Sequence, residues 1–152
     1  SFVGPLTLGA ILGGASESVL KSIEKYGLAV GIAFQMQDDI LGVFGDEDIL
    51  GKSTISDMRE GKHTVLFYKA CEMASASDVK YLKSVWGRKK SGGKELSKVC
   101  DIIERSGALA WCKKKMLELV SGAKSFVWGI SKDKRLAAIL SENAEFVILR
   151  DK

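Results

Sequence analysis

The chain has 152 residues, which is enough for one compact domain with a hydrophobic core. Lysine and arginine total 23 against 19 aspartates and glutamates, so the net charge of +4 suits a protein that handles anions but does not indicate nucleic-acid binding. The three cysteines form no CxxC pair, which argues against a disulfide framework or a zinc site and favours a reducing, cytoplasmic environment.

Helical patterns follow one another along the chain, and no alternating apolar run indicates a strand. The first predicted helix has Pro5 in its first turn and ends at Gly13 and Gly14; it is too short to span a bilayer. A long second helix begins at Ser16 and ends near Gly45. After a loop over 46–61, helices are predicted over 63–74, 75–85, 95–105, 108–130 and 132–149, with a flexible break at 88–93. The prediction is therefore one all-α domain over 1–152.

The end of the long helix carries two adjacent carboxylates, Asp38 and Asp39. In helical geometry Gln35 and Gly42 share their arc. The opposite arc is an apolar stripe of Ile23, Tyr26, Val30, Ala33, Phe34, Ile40, Leu41 and Phe44. We therefore expect both carboxylates to point away from the packing face. Two neighbouring acids repel unless a cation neutralises them, and oxygen ligands without a nearby His or Cys favour Mg²⁺.

The polar loop that follows carries Lys52, Asp57, Arg59 and Lys62. Lysines placed beyond a metal-binding acid pair are suited to contacting the other side of a diphosphate. A lone Asp-Asp pair or a loop lysine is more often a solvated surface feature, so the assignment depends on the wider pattern.

Residues 34–62 read FQMQDDILGVFGDEDILGKSTISDMREGK. This segment resembles the second aspartate-rich region of the trans-isoprenyl diphosphate synthases, the polyprenyl synthetase family, as in geranylgeranyl and farnesyl diphosphate synthases. The resemblance extends from Ser1 to the region of Met73 and fades into a helical tail. It implies that the chain forms the C-terminal helices of an isoprenoid-synthase-type helical bundle, and it implies homodimeric assembly.

The resemblance also implies a prenyltransferase that joins an allylic diphosphate to isopentenyl diphosphate. In the family, Mg²⁺ held by two aspartate-rich helices promotes departure of the allylic diphosphate, and the double bond of the second substrate captures the carbocation. By this resemblance, Asp38 and Asp39 are the metal ligands. Gln35, Lys52 and Lys62 are the residues expected to bind the diphosphate.

The chain departs from the family pattern in two ways. The usual motif is DDxxD, and Gly42 stands in place of its third aspartate. Asp46 would return to a similar angular position if the helix continued past Gly45, and Asp57 is a candidate to reach a metal-bound water. The first aspartate-rich motif and the residues that bind isopentenyl diphosphate lie N-terminal to the matched stretch. We therefore expect a C-terminal part that is inactive without its missing N-terminal half.

Two alternatives stay open. The absent first motif and Gly42 are compatible with a non-catalytic subunit or interaction domain that binds a partner synthase. Terpene cyclisation on a related helical fold is a weaker interpretation, because such enzymes do not usually pair the LGK and REGK segments seen here.

Overall fold

The computed structural model describes residues 2–45 and 54–150. Within these ranges the chain forms α-helices and no strand, which confirms the predicted all-α class. The helices are α1 Val3–Leu12, α2 Glu17–Phe44, α3 Ile55–Glu60, α4 Val65–Met73, α5 Ala76–Val85, α6 Gly93–Arg105, α7 Ala108–Ile130 and α8 Lys134–Leu149. Over the same residues, the search for a helix of sufficient length and apolar character to cross a membrane found none.

The helix ends follow local signals in the sequence. Gly13 caps α1, and Gly14 adopts a φ of +72°, which glycine tolerates without steric cost. Side chains of Thr64, Ser75 and Asp133 cap the N-termini of α4, α5 and α8. The hydroxyl of Thr64 accepts from the Phe67 amide at 3.1 Å at the start of α4. Asp133 likewise accepts from Leu136 at 2.8 Å, so α8 begins at Lys134 and not at the predicted position 132.

The predicted loop over 46–61 is wrong for residues 55–60, which form α3; residues 46–53 lie outside the described part of the chain. The segment ISDMRE contains several residues with good helix propensity. Gly61 ends α3 in the left-handed conformation at φ +68°, a common way for a helix to stop. The short helix was missed because the polar residues around it are also typical of loops.

The described chain divides into two compact units. The first consists of the chain up to Gln35 together with Lys115–Arg150, and the second is Met36–Lys114. Helices α2 and α7 each contribute a part to both units. The single domain and the flexible break predicted from the sequence stay predictions.

The first unit is held by a small apolar core between α2, α7 and α8. Its buried members are Tyr26, Val30, Ala33, Val120, Ala123, Val127, Ala137, Leu140, Ala144 and Val147. The Tyr26 hydroxyl, fully buried, donates to the Leu140 carbonyl at 2.7 Å, so the ring packs in the core without leaving its polar atom unpaired. Burial raises the pKa of this phenol, an effect partly offset by a hydrogen bond with Asn143.

The second unit places α6 in contact with α3, α4 and α5, while α4 also packs on α5. Its buried apolar side chains include Met58, Leu66, Phe67, Leu82, Val85, Val99, Ile102, Ile103 and Cys112. Arg105 on α6 donates to the Asp78 carboxylate on α5 at 2.5 Å. The second part of α2 lies in this unit, and it carries the acid pair.

The expectation that both carboxylates point away from the packing face is wrong for Asp39. Its side chain is only 8% exposed. Met36 and Val43, which are not members of the predicted stripe, are also buried, whereas Leu41 and Phe44 are only partly buried. Because the buried side of α2 changes along its length, the uniform stripe inferred from periodicity does not describe the second part of the helix.

Candidate functional site

The most informative contact in the second unit joins Gly42 on α2 to Asp57 on α3. A Cβ atom at Gly42 would lie 2.2 Å from Asp57 Oδ2 and 2.9 Å from its Cγ. The carboxyl group of Asp57 therefore occupies the space that a side chain at position 42 would fill. Position 42 is one helical turn beyond Asp38 and Asp39, so the Asp57 carboxylate lies on the same face of α2 as the acid pair.

Lys62 extends this arrangement. Its ammonium Nζ lies 2.5 Å from Asp57 Oδ1 and 3.7 Å from Glu60 Oε2. The hydrogen bond to Asp57 raises the pKa of Lys62, with burial acting in the opposite direction. The lysine side chain is 45% exposed whereas that of Asp57 is 11% exposed. The structure thus brings a lysine of the predicted diphosphate set next to a carboxylate that contacts the acid-bearing helix.

Asp39 has an electrostatic neighbour that sequence reasoning missed. The buried thiol of Cys112 on α7 has a pKa raised to about 11, first by burial and then by the negative charge of Asp39, while Lys69 lowers it. Lys69 itself pairs with Glu72 at 2.8 Å and lies over the Trp111 ring at 4.3 Å from the centroid. No sequence signal pointed to Cys112, because its distance from Asp39 along the chain hides their proximity.

The remaining predicted residues are distributed differently. Gln35 is exposed and is the last residue of the first unit, one turn before Asp38 on the continuous helix. Lys52 and Asp46 lie outside the described residues. Helix α2 ends at Phe44, and the predicted return of Asp46 to the acid-bearing face falls outside the described residues.

A magnesium ion fits the chemistry of the donors on this face. Asp38, Asp39 and Asp57 offer only carboxylate oxygens, the ligands that Mg²⁺ prefers, and Mg²⁺ commonly takes one or two carboxylates and completes its shell with waters and phosphate oxygens. Among residues 2–45 and 54–150, no group of three His, Cys, Asp or Glu side chains is arranged to hold a metal by itself. The filled space at Gly42 shows that a third carboxylate is accommodated beside the pair.

The described helices thus place on one face of α2 the acid pair and the Asp57 carboxylate, which pairs with Lys62 in the turn after α3. The polyprenyl synthetase family model matches residues 1–103, and the chain belongs to this family. The membership inferred from the sequence is therefore confirmed.

Individual relatives agree with this assignment. The chain is 38% identical over 144 residues to the short chain isoprenyl diphosphate synthase of Methanothermobacter thermautotrophicus, covering 94% of the chain and 43% of that protein. It is 43% identical over 98 residues to the geranylgeranyl diphosphate synthase of Saccharolobus solfataricus, covering 64% of the chain and 30% of the relative. The chain thus spans less than half the length of these relatives.

Solved structures share the fold. The geranylgeranyl pyrophosphate synthase of Corynebacterium glutamicum, complexed with isoprenyl diphosphate and magnesium, superimposes with a TM-score of 0.90 at 30% identity. That alignment covers 97% of this chain and 42% of the solved chain. The predicted isoprenoid-synthase-type helical fold is confirmed by this likeness.

Proposed function

We propose that this chain supplies the second aspartate-rich helix and diphosphate-binding lysines of a prenyltransferase. The complete enzyme would condense an allylic diphosphate with isopentenyl diphosphate to a linear polyprenyl diphosphate, with Mg²⁺ as cofactor. Family membership and the naming of the relatives as diphosphate synthases support the reaction class. Homodimeric assembly and a cytoplasmic location remain predictions made from the sequence.

One observation carries the proposal for the site. The Asp57 carboxylate lies against Gly42 on the face of the acid pair and binds the Lys62 ammonium on its other side. Asp57 thus contacts both the helix that carries the acid pair and the lysine in the turn after α3. This is the arrangement expected where a cation and a diphosphate are held next to each other.

In this proposal Asp57 also compensates for the missing third aspartate of the motif. In this proposal its carboxylate does the work that the side chain at position 42 does in the usual DDxxD pattern, because it occupies that side chain's space. The negative charge beside the acid pair is then retained although the residue at position 42 is glycine. Gly42 is required for the arrangement, since any side chain there would collide with Asp57.

The roles of the residues follow from their charges. Asp38 and Asp39 would hold Mg²⁺, which supplies positive charge to a departing diphosphate when it is bound. Lys62 would donate to the diphosphate oxygens, and its ammonium must then share or leave its present pair with Asp57. Lys52 and Gln35 would add further contacts to the diphosphate, as the family resemblance implies.

The experiment is Asp38→Ala in the complete synthase, with product formation followed by mass spectrometry. Loss of a direct metal ligand removes transition-state stabilisation, so we expect a decrease in kcat/KM of about a hundredfold or more, equivalent to about 2.7 kcal/mol. The matched control is Asp101→Ala on α6, where the aspartate pairs with Arg105 at 3.1 Å and the side chain is 68% exposed.

Equal activity of the Asp38 variant and the control would contradict the metal role of Asp38. The same assay on the 152-residue chain alone should give no product, because the other aspartate-rich helix is needed. Condensation by the isolated chain would contradict that expectation. A linear diphosphate product distinguishes the proposal from terpene cyclisation, and an inactive complete protein would favour the non-catalytic subunit.

A further inference from the structure

The turn after α3, which carries Lys62, is hydrogen-bonded to a segment that the family motif does not include. The Trp86 indole donates from Nε1 to the carbonyl of Lys62 at 3.0 Å. The neighbouring Gly87 amide donates to the Met58 carbonyl at 2.7 Å. The Trp86 ring stacks on Phe67 of α4, with centroids 4.5 Å apart. Residues on both sides of the turn are therefore held by a single short stretch after α5.

Two further contacts strengthen the attachment. Arg59 of α3 donates from Nε to the Ser91 carbonyl at 2.8 Å. Ser91 is 2% exposed, and its hydroxyl donates to the Val85 carbonyl at 3.0 Å, which fixes the path of residues 85–91. We name residues 85–91 the brace. The hydrogen bond from Arg59 to Ser91 connects the brace to α3.

The backbones of the turn and the brace also approach unusually closely. A Cβ atom at Gly61 would lie 2.9 Å from the Gly87 Cα, and both glycines have positive φ, +68° and +80°. Such an approach requires a residue without a side chain at position 61. The contact is therefore built into the backbone and does not depend on long side chains that could move apart.

This attachment bears on Lys62 because its ammonium must share or leave the pair with Asp57 to meet the diphosphate. The lysine stem is flexible and the side chain is 45% exposed, so holding the ammonium in one place costs side-chain entropy. The Lys62 amide donates to the Asp57 carbonyl at 3.1 Å, while the Lys62 carbonyl accepts from the Thr64 amide at 3.0 Å and, from outside the turn, from the Trp86 indole. Both polar groups of the Lys62 backbone are thus fixed, and the ammonium starts from a defined point.

We propose that Trp86 is a positioning residue that fixes the backbone of Lys62 so that its ammonium meets the diphosphate. This inference rests on the proposed function of Lys62. The indole does not contact the substrate in this proposal; it acts only through the lysine. A small displacement of a group that orients a reacting substrate is enough to weaken its contribution markedly.

The first test needs no ligand and uses the chain described here. Trp86→Phe removes the indole donor but retains an aromatic ring against Phe67. We expect hydrogen exchange of the Lys62 amide to accelerate about three- to tenfold, the loss expected for one hydrogen bond, while amides in the middle of α6 keep their rates. Trp128→Phe is the matched control, since Trp128 is 52% exposed and lies in the other unit.

The second test measures steady-state kinetics of the complete synthase with an allylic diphosphate. Trp86→Phe should raise the KM for the allylic diphosphate about three- to tenfold and leave the KM for isopentenyl diphosphate unchanged. In a Lys62→Ala background the same substitution should add nothing, because the residue it positions is gone. Arg59→Gln, which removes the second attachment to the brace, should produce a smaller change of the same kind.

The possible outcomes distinguish the positioning role of Trp86 from the diphosphate-binding role of Lys62. Unchanged exchange of the Lys62 amide in Trp86→Phe would overturn the inference. Faster exchange with an unchanged KM, while Lys62→Ala raises the KM, would also overturn it and would leave the diphosphate role of Lys62 intact. If Lys62→Ala itself leaves the KM unchanged, the proposed function of Lys62 fails, and the positioning role fails with it.

Discussion

Helix α2 is buried on different sides before and after Gln35. In the first part the buried residues are Ile23, Tyr26, Gly27, Val30 and Ala33, which form one apolar stripe. In the second part they are Met36, Asp39, Ile40, Gly42 and Val43. At 100° per residue, the centre of the buried face shifts by roughly two fifths of a turn between the two parts.

The two parts of α2 therefore differ in role: the first part packs into a core, and the second part carries the candidate site. The first part buries only apolar side chains and one tyrosine whose hydroxyl is paired. The second part brings a carboxylate into the buried face and leaves a glycine where another acid can enter. Burying a charged group is costly, so a helix that does so in one part only is using that part for something other than stability.

The largest expected effect lies in the first part. Tyr26→Ala removes a fully buried ring and its hydrogen bond to Leu140, so we expect the free energy of unfolding to fall by about 3–5 kcal/mol in urea titrations. Leu28→Ala is the control, because Leu28 lies on the same part of the helix but is 57% exposed. Similar losses for the two variants would remove the distinction between the stripe and the exposed side.

A smaller effect is expected in the second part. Gly42→Ala places a methyl group against the Asp57 carboxyl, so it should lower the free energy of unfolding by about 1–3 kcal/mol despite the better helix propensity of alanine. The control is Gly31→Ala in the first part, where the new methyl would meet Phe2 at an ordinary 3.5 Å. That substitution should be neutral or stabilise by about 0.5–1 kcal/mol.

The collision can be checked by removing its other partner. In an Asp57→Gly background, Gly42→Ala should no longer destabilise, because the space beside α2 is then vacant. A Gly42→Ala variant that is as stable as Gly31→Ala would mean that Asp57 is not confined against the helix. The proposed replacement of the third motif aspartate would then lose its support.

The smallest expected effect concerns the thiol next to Asp39. The pKa of Cys112 is raised from 9.0 to about 11, so the folded chain holds the thiol proton more tightly than the unfolded chain. The resulting stability is present below pH 9 and is lost as the pH rises toward 11. Between pH 9 and 10, the wild-type chain should lose about 1 kcal/mol more unfolding free energy than Cys112→Ala, measured in urea at both values. Equal losses would contradict the raised pKa.

Local patterns in the sequence were sufficient for most of the fold. The apolar rhythm predicted the long α2, and the glycines and capping residues marked ends such as those at Gly13 and Thr64. The family motif led to Asp38, Asp39 and Lys62 as candidates. These signals lie within a few residues of the features that they predict, and they can be read without knowing what packs against them.

The features that escaped prediction depend on contacts between distant parts of the chain. The burial of Asp39 follows from its surroundings in the second unit, which helical periodicity does not describe. The entry of Asp57 into the space beside Gly42 and the hydrogen bond from Trp86 to Lys62 join residues on different elements. Neither contact follows from the composition of the segments involved.

The close approach of Gly61 and Gly87 constrains how the chain can vary. A Cβ at Gly61 would lie only 2.9 Å from the Gly87 Cα, whereas a Cβ at Gly87 would meet the Gly61 Cα at an ordinary 3.6 Å. Both glycines have a positive φ, which disfavours other residues at either position. A saturation library covering both positions, selected for prenyl transfer by the complete enzyme, should return glycine at each of them. No change at position 87 should rescue a larger residue at position 61, since Gly87 already lacks a side chain.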